Sequence, residues 1–259
     1  MSTARIATFN VNSIRARLDN FVQWLARFRP DVVLLQEIKS TEETFPFDDI
    51  RHAGYQVHIA GQKSYNGVAI LSREPVELVS TVLPGGKDDD QARWMEARWR
   101  DIHVCCLYLP NGNPVPGPKF DYKISWMKRL HAHVETLLAQ EVPLLLGGDF
   151  NVCPTDDDVW NAQAMAKDAL LQPESRDQYF ALEHLGLVNA LRSRNSKPGV
   201  YSYWDYQGGA FQKDNGLLID HFLLSAELID RMTDVGIDTE ARAQPKASDH
   251  TPVWVELEL

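Results

Sequence analysis

Apolar and polar positions along this 259-residue chain follow two periods, one helical and one of alternating residues. From Ser13, which has the chemistry of an N-cap, Ile14, Leu18, Phe21, Val22, Leu25 and Phe28 recur every three or four residues until Pro30, predicting an amphipathic helix. The apolar run 32–35 follows at once and predicts a buried strand ending at Gln36-Glu37. The same order returns later. Ile124, Met127, Leu130, Val134, Leu137 and Leu138 mark a helix, residues 142–146 a strand, and Gly147-Gly148-Asp149 the turn at its end. Between these units, residues 68–71, 76–79, 95–99 and 102–108 are predicted strands, divided by turn residues such as Pro84-Gly85-Gly86. A third helix is predicted over about 178–191. The chain closes with Val253, Val255, Leu257 and Leu259 alternating against Trp254, Glu256 and Glu258, the pattern of a half-buried strand.

Many strands with few helices fit two sheets packed face to face with helices outside, an α/β class of fold, better than a single parallel sheet. The repeated helix–strand–carboxylate order predicts an internal two-fold pseudo-repeat within one domain spanning 1–259. A short echo, Phe9-Asn10-Val11 against Phe150-Asn151-Val152, adds a weaker sign of the same.

The chemistry lies where apolar runs end. Phe9-Asn10-Val11-Asn12, Leu35-Gln36-Glu37, Gly148-Asp149-Phe150-Asn151, Ile219-Asp220 and Ser248-Asp249-His250 are acidic and amide signatures that strand ends can bring to one rim. Hard oxygen ligands gathered there suit Mg²⁺ or Mn²⁺, a common device for attacking a phosphate ester. Glu37, directly after an apolar strand, is costly in a core unless paired or bound to a cation, and Asp149 holds the corresponding place in the second unit. Asp220 is a candidate to orient His250 and raise its basicity. The other seven histidines have no such partner in view; His131 and His133 belong to a helix and His221 to a strand. Tyr108 and Asn111, from the turn after the long central strand, offer hydrogen bonds to phosphate oxygens.

Composition narrows this. With 26 basic and 36 acidic residues the formal charge is −10, which argues against holding nucleic acid by bulk electrostatics. A polyanion must be met by metal or by a local basic face; Lys119, Lys123, Lys128 and Arg129 form one candidate face, Arg192, Arg194 and Lys197 another. A phosphodiester within about 4 Å of a bare carboxylate meets roughly 4 kcal/mol of repulsion at an effective dielectric near 20, which a divalent ion reverses. The acidic runs 88–90 and 156–158 are expected as exposed loops or a helix N-terminus. Three cysteines, Cys105, Cys106 and Cys153, lack the spacing of a disulfide framework or zinc site; Cys153 is expected as a small buried residue. No apolar stretch approaches a membrane span and the N-terminus lacks a signal-peptide pattern, so a cytoplasmic protein, a monomer by default, is expected.

From residue 6 to 255 the chain resembles the exonuclease III and abasic-site endonuclease family of the endonuclease/exonuclease/phosphatase superfamily. Beside the signatures above, the likeness takes in Gln36-Glu37-Ile38-Lys39, Gly61-Gln62-Lys63, Tyr65-Asn66-Gly67-Val68-Ala69, Lys119-Phe120, Pro173-Glu174-Ser175-Arg176 and Trp204-Asp205-Tyr206. The resemblance implies a four-layered α/β sandwich and Mg²⁺ or Mn²⁺ held chiefly by Glu37, with Asn10, Asp249 and Asn12 nearby. It gives Asp149 the activation of water, Asn151 its orientation, and Asp220 with His250 the stabilisation of a pentavalent phosphorus. Tyr108 and Asn111, with Lys39, would meet phosphate and DNA, and Tyr203, Trp204, Leu217 and Ile219 would wall a pocket for an unstacked sugar. Leu218 departs from the arginine common in the family's Gly-Leu-Arg-Ile-Asp. The implied substrate is duplex DNA with abasic sites or blocked or recessed 3′ ends. A phosphodiesterase for small or lipid phosphates and a catalytically silent nucleic-acid-binding regulator are the alternatives on this scaffold.

Overall fold

The computed structural model describes residues 2–259. In chain order its elements are β1 (Thr3–Asn10), α1 (Leu18–Phe28), β2 (Val32–Gln36), α2 (Phe47–His52), β3 (Gln56–Ala60), β4 (Val68–Ser72), β5 (Glu77–Ser80), β6 (Trp94–Trp99), β7 (Ile102–Tyr108), α3 (Pro118–Leu138), β8 (Leu144–Asp149), α4 (Pro173–His184), β9 (Val188–Asn189), α5 (Ala190–Arg194), β10 (Asp220–Leu224), α6 (Ala226–Arg231), β11 (Met232–Ile237), α7 (Thr239–Arg242) and β12 (Val253–Glu258). Two six-stranded mixed sheets result, ordered β11-β12-β1-β2-β4-β3 and β5-β6-β7-β8-β10-β9.

Strand alternation builds four layers from these elements. Ile6 and Leu34 of the first sheet meet Val104, Leu145 and Phe222 of the second in the inter-sheet core. Ala7, Phe9 and Leu35 point the other way, under Phe21, Trp24 and Leu25 of α1. On the far side Cys105, Leu107, Leu144 and Leu146 pack beneath Trp126, Leu130 and Val134 of α3 and Tyr179 and Leu182 of α4. The expected helix/sheet/sheet/helix sandwich is therefore present. Gly147 and Gly148 lie inside β8 rather than forming a turn after it. A Cβ at Gly147 would stand 2.5 Å from the Phe222 ring and 2.7 Å from Leu34, so the bare backbone lets the two sheets close there.

Two predicted helices have different bounds. After β1, Val11 donates to the Gln36 carbonyl (3.0 Å) and Ser13 to that of Glu37 (2.8 Å), so Ser13 continues a strand-like pairing with φ +84° and the helix waits until Leu18. The run 178–191 starts earlier, with Pro173 in the first turn, and breaks where Gly186 takes φ +104°. The chain then enters β9 and α5.

A buried polar cluster joins β6, β7 and α3. Glu96 accepts from His103 Nε2 (2.7 Å) and His133 Nε2 (2.8 Å), so two histidines without sequence neighbours of opposite charge find one in space. Burial alone would raise the Glu96 carboxyl, but the two imidazoles hold it down at about 2. Because the folded value lies below the ordinary 4.5, this contribution to stability is present above pH 4.5 and is lost as pH falls toward 2. Glu96→Ala, which strands both rings, is expected to cost about 3–5 kcal/mol at pH 7 and clearly less near pH 3. Urea unfolding at the two pH values checks both parts.

Candidate active site

Strand direction gathers the polar signatures. β1 with β2, and β7 with β8, are parallel pairs, so Asn10, Gln36, Tyr108 and Asp149 all end strands at one edge of the sandwich. Strand β10 is antiparallel to β8 with Asp220 opposite Asp149, so Asp220 begins its strand instead of ending one. It still reaches the rim, because an antiparallel strand starts where its parallel neighbours finish. Asp249-His250 arrives in the same way, ahead of β12. Asn10 closes the first strand of its pair while Asn151 follows the second of its own, so the Phe-Asn-Val echo joins positions that are not topologically equivalent.

The side chains form one connected network. Asn10 Nδ2 donates to Glu37 Oε1 and to Asp149 Oδ2, both at 2.9 Å, and its own Oδ1 accepts from the Asn12 N–H at 3.0 Å, which settles the amide orientation. Glu37 itself adopts φ +49°, a left-handed backbone held by the pairing from Ser13. Lys39 Nζ bonds Glu37 Oε2 (2.8 Å) and Asn12 Oδ1 (2.6 Å), and Asn12 Nδ2 donates to Asp249 Oδ1 (3.0 Å). On the other side His250 Nδ1 donates to Asp220 Oδ2 (2.9 Å), while its Nε2 lies 3.7 Å from Asp149 Oδ2. Ser202 Oγ also donates to Asp220 Oδ2 (2.6 Å) and accepts from the Asp220 N–H. The Asn151 N–H binds Asp149 Oδ1 (2.9 Å), its Nδ2 binds the Leu109 carbonyl (2.9 Å), and its Oδ1 accepts from Asn111 Nδ2 (3.0 Å).

Burial and charge set the proton affinities in opposite directions. Burial would raise Glu37, but the Lys39 ammonium and the Asn10 amide keep it below the usual carboxylate range. Asp149 is raised by burial and by Asp220, against the pull of His250. Burial works to lower the His250 imidazole, yet Asp220, Asp149 and Asp249 together lift it above its ordinary value. The Tyr108 phenol is raised by burial and by Glu37 and Asp149.

Four carboxylates, Glu37, Asp149, Asp220 and Asp249, thus share a network in which Lys39 and His250 are the cations. Ligand atoms of Glu37, Asp149 and His250 lie within 4.8 Å of one another. An excess of negative charge presented by carboxylate and carboxamide oxygens fits a hard divalent cation.

A cavity of about 630 Å³ opens beside the cluster, reached by Glu37, Tyr108, Asn111, Asp149, Asn151, Asp249 and His250. Tyr203, Leu217 and Ile219 line it, as expected for a wall. Trp204 does not. Tyr203 pairs with Leu217 in a β-bridge, so the next residue turns inward, and Trp204 packs on Tyr201 and Phe211 with its Nε1 on Asp214 (3.0 Å). Leu218 alternates inward likewise and is wholly buried, its N–H on the Asp158 carbonyl (2.8 Å). Its departure from arginine therefore bears on the interior and not on the cavity wall; the Asp158 carboxylate takes its guanidinium from Arg192.

The sequence pattern missed Ser202, a lone hydroxyl in Tyr201-Ser202-Tyr203; the segment between Cys153 and Arg176, which the family resemblance sets beside the pocket, contributes Trp160, Met165 and Leu170 to the wall. The first proposed basic face keeps only the exposed Lys119 and Lys128: Lys123 is wholly buried and Arg129 is paired with Asp89. In the second, Arg192 serves Asp158. Asp89 and Asp158 are thus ion-pair partners, while residues 156–158 form a short 3-10 turn capped by Thr155, the helix start expected of that acidic run. All three cysteines are unpaired and buried, and burial pushes the Cys153 thiol up, away from reactivity.

A two-sheet sandwich with acid, amide and imidazole groups converging on a cavity at one edge defines a hydrolase of phosphate esters. The chain belongs to the Endonuclease/Exonuclease/phosphatase family, whose model matches residues 7–250. It is 32% identical to exodeoxyribonuclease III of Haemophilus influenzae over 98% of this chain and 99% of that one. An AP endonuclease from Archaeoglobus fulgidus superposes with a TM-score of 0.95 at 33% identity, covering 99% and 100% of the two chains. The 3′ phosphatase NExo from Neisseria, solved with a product DNA hairpin, gives 0.96 at 35% identity, covering 99% and 100%.

Proposed function

We propose that this protein is a Mg²⁺- or Mn²⁺-dependent DNA repair nuclease that hydrolyses phosphoesters in duplex DNA, cleaving at abasic sites and clearing 3′ ends. The observation that carries the reading is the Asn10 amide, which bridges Glu37 and Asp149 at 2.9 Å each at the mouth of the cavity. Full-length likeness to enzymes of abasic and 3′-end processing supports the same substrate.

Glu37 would hold the ion, with Asn10, Asp249 and Asn12 arranged around it. When bound, the ion polarises the phosphate and neutralises its charge. Asp149, fixed by Asn10 and the Asn151 N–H, takes a proton from the attacking water, its raised affinity suiting it to a base near neutral pH. Asn151 and Asn111, joined to each other, offer amides to the phosphate oxygens. His250 stays protonated because Asp220 holds its Nδ1–H, and its Nε2–H faces the phosphate as charge develops. Tyr108 keeps its proton and donates at the same place. Tyr203, Leu217 and Ile219 form the apolar side of the cavity, against which an unstacked sugar would rest. A cytoplasmic monomer belongs to this reading; no helix among the described residues is long and apolar enough to cross a membrane.

The test uses three matched duplexes carrying an internal abasic analogue, a 3′ phosphate or a recessed 3′ hydroxyl, with Mg²⁺ and with chelator. Metal-dependent processing of one or more is expected, with chelator lowering the rate by at least about 10²-fold. No processing of any, with Mg²⁺ or Mn²⁺, would overturn the proposal in favour of a small-phosphate enzyme or a silent binder.

A further inference from the structure

Lys123 is the one charged side chain from α3 that is wholly buried, and nothing in the chemistry above uses it. Its Nζ donates to the backbone carbonyl of Asn111 (3.1 Å) and to that of Asn151 (2.5 Å). No carboxylate among the described residues forms an ion pair with it. Burial lowers the ammonium to about 7, against the pull of Asp149, Asp168 and Cys153, so the charge is a cost to the fold. Methionine would fill the same volume without that cost.

The two carbonyls belong to different segments. Asn111 lies in the turn after β7 and Asn151 in the turn after β8, and their side chains meet at 3.0 Å on the face toward the cavity. Gly112 shows how tightly the first turn lies on the lysine: with φ +92°, a Cβ there would stand 2.7 Å from Lys123 Cδ. One ammonium thus pins both turns from behind while their amides point forward.

We propose that Lys123 is a positioning residue that sets the joint placement of Asn111 and Asn151 for an incoming phosphate. The inference rests on the phosphoesterase reading for its catalytic consequence, but the placement itself is readable without catalysis. Displacement of reacting groups by about 1 Å costs on the order of 10²-fold in rate.

The experiment compares the full chain with Lys123→Met and Lys123→Arg. Hydrogen exchange of the protein alone is expected to show residues 109–113 and 150–153 exchanging at least about tenfold faster in Lys123→Met, with β7 and β8 as protected as in the wild type. Unchanged exchange in both turns overturns the proposal whatever the activity. On the abasic duplex with Mg²⁺, kcat is expected to fall about 10–100-fold with KM changed less than about threefold, and Lys123→Arg, which keeps a charged donor, to recover part of the loss. A loss in KM alone, or none in kcat, overturns it too. If Lys123→Arg fails to fold, the Lys123→Met comparison still decides. A wild type inactive on every duplex removes the nuclease reading, and the exchange result then stands by itself for or against Lys123.

Discussion

Asp149→Asn is expected to lower kcat by about 10²–10⁴-fold on whichever duplex the wild type processes best, the range that loss of a positioned general base produces. The substitution keeps the shape of the side chain. An asparagine oxygen can still accept from the Asn151 N–H, which holds Oδ1 at 2.9 Å, so the turn after β8 should survive. What is lost is the second oxygen, which accepts from Asn10 Nδ2 and lies 3.7 Å from His250 Nε2, together with the capacity to take a proton. Removing one of four clustered carboxylates also reduces repulsion toward DNA, so KM should be unchanged or lower while kcat falls. Burial and Asp220 raise the Asp149 affinity for its proton and His250 opposes them; the competent carboxylate form therefore accumulates as pH rises. The wild-type rate should climb with pH through that titration, and the acid limb should vanish in the variant. Single-turnover rates across pH, with melting curves to check folding, provide the measurement. A loss below tenfold would remove Asp149 from the role of base.

How much of this was legible beforehand follows from which features are local. An apolar run followed by a carboxylate is a local pattern, so Glu37 after β2, Asp149 in β8 and Tyr108 at the end of β7 could be placed from sequence, and with them the rim. The start of α1 could not, because Ser13 is held by the Glu37 carbonyl across the sheet and not by its own helical turn. Asp220 reaches the rim for a reason its local pattern does not show: its contact with His250 is real at 2.9 Å, yet the apolar run before it, Leu217 to Ile219, is cavity wall and interior rather than strand. Trp204 shows the limit of aromatic content as a sign of a pocket, since alternation about the Tyr203–Leu217 bridge decides which ring faces the cavity. Lys123 and the Glu96 cluster were invisible because a lysine on a helix, or a histidine on a strand, is charged surface in any one-dimensional pattern until packing buries it.

Glu37→Gln should be the other severe change, and it separates the metal from the base. Glu37 is held below the usual carboxylate range by Lys39 and Asn10 against its burial, so it is ionised at neutral pH, and it faces the cavity. Glutamine preserves volume and an oxygen but removes that charge; near a cation, one unit of charge at about 4 Å is worth roughly 4 kcal/mol for each unit on the ion at an effective dielectric near 20. Even a small fraction of that energy raises the half-saturating Mg²⁺ concentration more than tenfold. At fixed millimolar metal the rate should fall about 10²–10³-fold. Of the two hydrogen bonds that Glu37 accepts, the remaining oxygen can keep the one from Asn10 Nδ2, while Lys39 Nζ loses its carboxylate partner at 2.8 Å and keeps Asn12. Folding should therefore be little affected, which a melting curve can confirm. Raising Mg²⁺ should recover activity in Glu37→Gln but not in Asp149→Asn, because only the first defect is one of ion affinity. An unchanged metal requirement in Glu37→Gln would move the ion away from β2, and Asp249, linked through Asn12 to the other side of Lys39, would be the next carboxylate to vary.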